Sequence, residues 1–334
     1  VATPDPAAAL VGLDEIRAAA ARLRGVAIRS PLLPLGDPAR RQLLKAESLQ
    51  PIGSFKIRGA FNAAACLSQA ARQRGLITYS SGNHAQGVAR AARLLGVPAV
   101  IVMPQNAPAV KRARVIADGA EVLTVGNASA ERRAVAERLA ATRGLATIPP
   151  FDDDRVIAGQ GTCGLEIAED VPDLAALLVP IGGGGLASGV AAAVKALRPS
   201  TRIVGVEPEL AADARDSLAR GEIVAWSAAA VSRTIADGTR TQALGIRTFA
   251  HLRVLLDDVV TVSEEEIAAA VRLTAEEARL VVEPSGALAI AALRFRATAA
   301  GVANAPGAVV CVVSGGNVDP ARFLDYLRAP IPST

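Results

Sequence analysis

Aromatic side chains are scarce in this chain: six Phe, two Tyr and one Trp make up 3% of 334 residues. Single-stranded nucleic-acid modules stack bases on aromatics, so this scarcity argues against that class. Histidine is scarcer still, with only His84 and His251. Neither sits in a context for a Ser/His/Asp triad or a metal cluster; His84 reads as structural in its loop and His251 as a satisfied surface or interface residue. The three cysteines, Cys66, Cys163 and Cys311, are odd in number, far apart and without CxxC spacing. That pattern excludes a disulfide framework and a structural zinc site, and points to a reducing compartment. No block of five like charges occurs among 36 basic and 32 acidic residues, so the net charge of +4 reads as a solvated surface and nucleic acid is not an expected partner. Asp5, Asp14 and Glu15 stand where a signal peptide would be apolar, and the expectation is a cytoplasmic protein. The charge-free run from Leu174 to Val194 is long enough for a bilayer, yet Pro180 and four successive glycines divide it into strand, loop and helix. No membrane partner is expected.

What is abundant is aliphatic: 51% of residues are hydrophobic, carried by Ala, Val, Leu and Ile. Short apolar runs alternate with Ala/Arg/Glu-rich segments of helical spacing, the pattern of βαβ units and a mainly parallel sheet. Strands are expected at 76–80, 98–103, 121–125, 176–181, 201–207, 259–262 and 308–313. Helices are expected over VARAARLLG (88–96), stopped by Gly96, over 109–118 and 129–143, after SEEE at 263–266, and over GALAIAALRF. The fold class is therefore α/β, an open twisted parallel-sheet architecture in two domains. The pattern alone divides the chain at the Pro149 and Pro150 turn; the full expectation is a larger domain of residues 1–67 and 146–334 and a smaller, mobile one of 68–145, with the site between them.

Three Ser/Gly-rich loops directly follow expected strands: SSGNH (80–84), GGGG (182–185) and SGG (314–316). Ligands of open α/β sheets bind beyond the carboxyl ends of strands. Successive glycines before a helix suit an anion such as phosphate, because backbone N–H groups and the helix N-terminus converge on it. The same segment, Gly182, Gly184 and Ala187 followed by Glu207 at the end of the next strand, also fits a dinucleotide fingerprint. In SFKIRGA (54–60), Lys56 stands between Phe55 and a helical stretch, where a lowered pKa would let its amine form a Schiff base.

Taken together and in order, SFKIRGA, SSGNHAQG, GGGGL, VEP, EPSGA and SGGN resemble the fold-type II pyridoxal-phosphate enzymes, in the serine/threonine dehydratase and serine racemase branch. The resemblance runs from about Leu13 to Leu327 and displaces the dinucleotide reading. It implies a tryptophan synthase β-like fold and the following roles. Lys56 would hold pyridoxal phosphate as a Schiff base and, once displaced by the substrate amine, remove the α-proton. Gly182, Gly183, Gly184 and Gly185 would cradle the phosphate, Asn83 would touch the ring hydroxyl, Phe55 would pack beside the ring and Ser314 would meet the pyridine nitrogen. A hydroxyl there does not keep the nitrogen protonated, so the ring is a weaker electron sink and elimination is favoured. Ser80, Ser81, Gly82, Asn83 and His84 would hold the substrate carboxylate. Ser81 also matches the serine that exchanges the proton on the opposite face in racemases. Glu207, Ala211 and Asp213 fit the family's EPxxAxD pattern, an all-oxygen set suited to Mg²⁺, Mn²⁺ or Ca²⁺ rather than zinc, with Mg²⁺ or Mn²⁺ as the expected ion.

The implied reaction is dehydration and deamination of a β-hydroxy-α-amino acid to a 2-oxo acid and ammonia, with L-threonine or L-serine first. A specialised substrate such as 3-hydroxyaspartate, phenylserine or a hydroxyectoine-derived amino acid comes second, and serine racemisation third. IADGTRTQALG (235–245) departs from common threonine dehydratases at Thr239, Arg240 and Gln242, and Arg240 is a candidate partner for a second substrate carboxylate. The chain stops soon after SGGN, so no regulatory domain is expected. A homodimer is the default for a soluble homo-oligomer.

Overall fold

The computed structural model describes residues 9–80, 82–105, 107, 109–126 and 129–332. Ten strands are found among them: β1 (Leu32–Pro34), β2 (Gln42–Ala46), β3 (Leu76–Tyr79), β4 (Ala99–Pro104), β5 (Glu121–Val125), β6 (Ala146–Thr147), β7 (Leu174–Pro180), β8 (Arg202–Pro208), β9 (Asp258–Val262) and β10 (Ala308–Val313). They form two sheets. One has six strands in the order β1-β2-β10-β7-β8-β9, the other four in the order β5-β4-β3-β6. All pairings are parallel except that of β1 with β2.

A parallel sheet covered on both faces must bury both sets of alternating side chains, which is why its central strands are continuous apolar runs. In β7, Ala176 and Leu178 face a core shared with the helices Glu264–Ala278 and Pro284–Phe295. Leu177 and Val179 face the opposite core, with the helices Asp154–Asp170, Gly185–Leu197 and Ile246–Leu255. In β10 the same alternation sends Cys311 one way and Val310 and Val312 the other. The four-stranded sheet is covered in the same manner. Ile101 and Met103 of β4 meet the helices Lys56–Ala65 and Asn83–Leu95, while Val100 and Val102 meet Ala136 of the helix Ser129–Arg143.

The α/β class and both sheets agree with the alternating pattern of the sequence. β6 pairs with β3 through Leu76↔Ala146 and Ile77↔Thr147, so the smaller sheet continues two residues past 145. The segment Leu174–Val194 is strand, glycine loop and helix. Among the described residues no helix is long and apolar enough to cross a membrane.

The helix that begins at Lys56 is held in two ways. It lies so close to the helix Asp154–Asp170 that a β-carbon on Gly159 would stand 2.6 Å from Arg58 O. Its Arg58 is also buried and clamped: Nε donates to Glu47 Oε2 and Nη1 to Glu166 Oε1, both at 2.7 Å. Buried Lys45 of β2 closes the cluster on Glu166 Oε2 at 2.6 Å and on Ser30 O at 2.7 Å. Two cations face two carboxylates, which lets these groups remain charged away from water.

Candidate active site

Parallel strands of one sheet end on one edge, so the loops after β7 and β10 emerge side by side, and the loop after β3 approaches from the smaller sheet. Lys56 enters this cleft at the first turn of its helix. The backbone N–H of Phe55 donates to Ser314 O at 3.0 Å, and Ser54 bridges Gly315, so the Lys56 segment is tied to the SGG loop. Lys56 Nζ lies 5.0 Å from the centre of the Phe55 ring and donates to Pro150 O at 2.7 Å. Its partner is a carbonyl, not a carboxylate, and burial lowers its pKa to about 8. The fraction of neutral, nucleophilic amine near neutral pH is thereby raised.

The glycine loop is packed from both sides. Gly184 has φ +91, and a β-carbon there would lie 2.8 Å from Thr248 Cβ; a β-carbon on Gly183 would collide with the Phe151 ring. Thr248 Oγ1 donates to Gly183 O at 2.7 Å and so fixes that carbonyl. That helix, Gly185–Leu197, starts directly at the loop and leaves its first N–H groups without intrahelical partners.

Of the loop after β3, Ser81 lies outside the described residues. Ser80 Oγ accepts from Gly82 N at 3.2 Å. Gly82 caps the helix Asn83–Leu95, which again offers free N–H groups to an anion. His84 is buried, and its Nε2 donates to Ile148 O at 2.9 Å. Burial, reinforced by the nearby Lys56 charge, depresses its pKa to about 3, so the ring is neutral and contributes no charge to a carboxylate. Asn83 Nδ2 donates to Glu283 Oε1 at 2.6 Å, and Asn83 Oδ1 accepts from Asn317 Nδ2 at 2.7 Å. Ser314 is buried beside these groups, its hydroxyl on Ser285 O at 3.3 Å.

Glu207, Ala211 and Asp213 come together at the end of β8. Glu207 is buried and accepts from the backbone N–H groups of Ala214 at 3.0 Å and Arg215 at 2.8 Å. Both Asp213 carboxylate oxygens are buried without a hydrogen-bond partner. Burial and the neighbouring Asp213 push the Glu207 carboxyl well up, and burial pushes Asp213 to about 7. Among the described residues no cluster of three or more His, Cys, Asp or Glu side chains is suited to a metal, so a cation here would rely on two carboxylates plus backbone oxygen.

Several neighbours of the site carry no signal of their own in the sequence. Phe151 and Thr248, which shape the glycine loop, are ordinary loop and helix residues. Glu283 and Asn317 do fall within EPSGA and SGGN, motifs whose fixed order marks them even where no role is attached. Arg240, a candidate for a second carboxylate, donates both Nε and Nη2 to Thr234 O. His251 is fully buried, contrary to a surface position: its Nε2 accepts from Val11 N at 2.8 Å and its Nδ1–H donates to Arg247 O at 2.7 Å.

A half-buried amine of lowered pKa, reached by two helix N-termini and a glycine loop, suits a carbonyl cofactor that carries phosphate. A family model described as pyridoxal-phosphate dependent enzyme matches residues 24–315. The L-threo-3-hydroxyaspartate ammonia-lyase of Saccharomyces cerevisiae is 43% identical over 307 residues, covering 90% of this chain and 92% of its own. The L-threonine ammonia-lyase of Geobacter sulfurreducens is 46% identical over 275 residues, covering 82% of this chain and 67% of its own. The solved structure of maize serine racemase superposes with a TM-score of 0.89 at 37% identity, covering 95% of this chain and 97% of that one. The chain belongs to the pyridoxal-phosphate-dependent enzymes, and its architecture is that of their fold-type II members.

The residues present fit that cofactor. The glycine loop has no room for side chains where a phosphate would need backbone N–H groups. Two buried polar atoms close to the Lys56 and SGG segments, Ser54 Oγ and Glu283 Oε2, have no partner within the protein.

Proposed function

We propose that this enzyme removes water from a β-hydroxy-α-amino acid, releasing a 2-oxo acid and ammonia, with Lys56 as the residue that carries the cofactor and moves the α-proton. The observation that carries this reading is the Lys56 amine: at the head of its helix, beside Phe55, bound to a carbonyl and lowered to about 8. Bound pyridoxal phosphate supplies the electron sink for the pair left at the α-carbon. Lys56 Nζ takes up the α-proton, for which a pKa near the working pH is suited. Gly182–Gly185 would hold the phosphate at the start of their helix, and the N–H groups of Gly82, Asn83 and His84 would orient the substrate carboxylate. Ser314, its hydroxyl now on Ser285 O, would offer a ring nitrogen a neutral partner that does not keep it protonated, which would favour loss of the β-hydroxyl. In balance, the β-hydroxyl leaves with a proton as water, the enamine tautomerises to an imine, and water returns to release ammonia.

For the substrate, L-threonine or L-serine stands first. Arg240, the residue best placed in sequence for a second carboxylate, is turned onto Thr234 O, and the Geobacter sulfurreducens relative is an L-threonine ammonia-lyase. The Saccharomyces cerevisiae relative, matched over 90% of this chain, favours 3-hydroxyaspartate as the second reading. We read residues 68–145 as a small domain that closes over the cleft, Glu207, Ala211 and Asp213 as a site for Mg²⁺ or Mn²⁺, and the protein as a cytoplasmic homodimer; the unpaired Cys66, Cys163 and Cys311 support a reducing compartment. The deciding experiment is 2-oxo acid release from L-serine, L-threonine, both 3-hydroxyaspartate diastereomers and phenylserine, with D-serine assayed alongside. Activity on threonine or serine supports the first reading and activity confined to 3-hydroxyaspartate the second. D-serine as main product would assign a racemase, and silence on every substrate overturns the proposal.

A further inference from the structure

The Asn83 side chain sits inside a one-way chain of hydrogen bonds. The Arg114 guanidinium donates to Asn317 Oδ1. Asn317 Nδ2 donates to Asn83 Oδ1 at 2.7 Å and to Ile52 O at 2.8 Å. Asn83 Nδ2 donates to Glu283 Oε1 at 2.6 Å. A guanidinium only donates and an ionised carboxylate only accepts, so the two ends fix which side of each amide is nitrogen. A cation at one end and an acid at the other polarise every link in the same sense. If Glu283 is removed, Asn317 stays pinned by Arg114 and Ile52 O, but the Asn83 nitrogen loses its anchor and the amide is held through its oxygen alone.

Each Nδ2 has two hydrogens, and Asn83 uses one on Glu283. The Asn83 nitrogen lies 3.1 Å from where a β-carbon on Gly315 would stand, and Glu283 Oε1 is also packed at that point. Both therefore flank the SGG loop, whose Ser314 carbonyl holds Phe55, the neighbour of Lys56.

We propose that Glu283 is a positioning residue for the cofactor: with Arg114 and Asn317 it locks the Asn83 amide so that an N–H, not the carbonyl, meets an electron-rich oxygen of the pyridoxal ring. This deepens the function proposed above and rests on its reading that pyridoxal phosphate is held at Lys56 with its ring oxygen toward Asn83. Glu283 is 2% exposed, so water does not supply a substitute anchor. Burial and Asp237 raise its pKa to about 7, opposed by Lys111. When Oε2 takes the proton, Oε1 still accepts, and the lock persists in both protonation states.

The test uses the full-length holoenzyme and reads cofactor release, followed as loss of visible absorbance after dilution with a pyridoxal-phosphate scavenger. Glu283→Ala is expected to speed release by about tenfold, as loss of a hydrogen bond to a charged group does. Glu283→Gln keeps an acceptor oxygen and is expected to stay within about threefold of the wild type. The double variant Glu283→Ala with Asn83→Ala is expected to release no faster than Asn83→Ala alone, because Glu283 acts through Asn83. Unchanged release in Glu283→Ala, or additive effects in the double variant, overturns the proposal. Should Glu283→Ala fail to fold, exposed Arg114→Met decides: faster release supports the relay, and an unchanged rate overturns it. A wild-type protein that forms no visible band with pyridoxal phosphate overturns the proposed function itself, whereas a normal band indifferent to Glu283 and Arg114 overturns the relay alone.

Discussion

Lys111 Nζ meets Asp237 Oδ2 at 2.7 Å, joining the helix Ala109–Ala117, which serves the smaller sheet, to the loop that packs against Gly182. Three residues on, Arg114 reaches Asn317 from the same helix. The two contacts hold one face of that helix against the rim of the cleft. Lys111 is nearly buried while Asp237 is half exposed, so solvent screens part of the attraction. Asp237→Asn is expected to raise KM by roughly two- to fivefold, the effect of losing a partly screened ion pair. Raising salt in the wild type should move KM the same way. Steady-state kinetics at two ionic strengths checks both, and a KM indifferent to the substitution and to salt would remove the pair from any role in substrate binding.

The Lys56 amine should make reconstitution pH dependent. Its pKa is depressed from the ordinary lysine range to about 8, so the neutral form that attacks an aldehyde accumulates as pH rises through 8. The rate at which apoprotein and pyridoxal phosphate develop visible absorbance is expected to climb with a midpoint near 8 and then level off. Stopped-flow spectra over pH 6 to 10 provide the measurement; a midpoint in the ordinary lysine range contradicts the lowered pKa. Lys56→Ala should abolish both the lysine-bound band and turnover, and steady turnover in that variant would remove Lys56 from the mechanism.

What the sequence made legible were features that local chemistry dictates. Gly96 ends its helix at φ 67, as a left-handed stop requires. Ser263 and Glu266 form a capping box at the head of theirs. The apolar runs of β4, β7 and β10 are strands because no amphipathic alternative exists for them. The strand β2 was not legible, since a five-residue segment containing a lysine reads as surface. It is a strand because β10 pairs with it, and Lys45 is buried because Glu166 lies opposite. The same holds at the site: the loops announced themselves by composition, while the partnership of Asn83 with Glu283 spans 200 residues and exists only in the folded chain.

Arg58 illustrates how such a partnership can be tested by stability. It lies just beyond Lys56, and its guanidinium is shared by Glu47 and Glu166. Arg58→Met would leave buried Glu47 and half-buried Glu166 facing Lys45 alone. Removing one member of a buried ionic cluster costs about 3–5 kcal/mol, and the urea midpoint is expected to fall accordingly. Glu47→Gln, which leaves a hydrogen-bonding neighbour, should cost less. A midpoint unchanged in Arg58→Met would show that the cluster relaxes to admit water.

The carboxylate pair at the end of β8 supports a prediction in which the sign reverses with conditions. Asp213 is buried with neither oxygen paired, and Glu207 is raised by burial and by Asp213. Without a cation the two acids oppose one another, so Asp213→Asn should unfold at a higher temperature than the wild type in the presence of a chelator. An ion held at the proposed Glu207 and Asp213 site would bind only the folded form, and would add about 2.7 kcal/mol to the wild type at a hundredfold excess of Mg²⁺ or Mn²⁺ over its Kd. Asp213→Asn, having lost a ligand, should gain little, and the order of the two melting temperatures should cross. Parallel melting curves with chelator and with each ion decide the matter. A wild type that responds to neither ion, together with an Asp213→Asn variant that is less stable under chelation, would mean that the pair is held by shared protons and not by a metal.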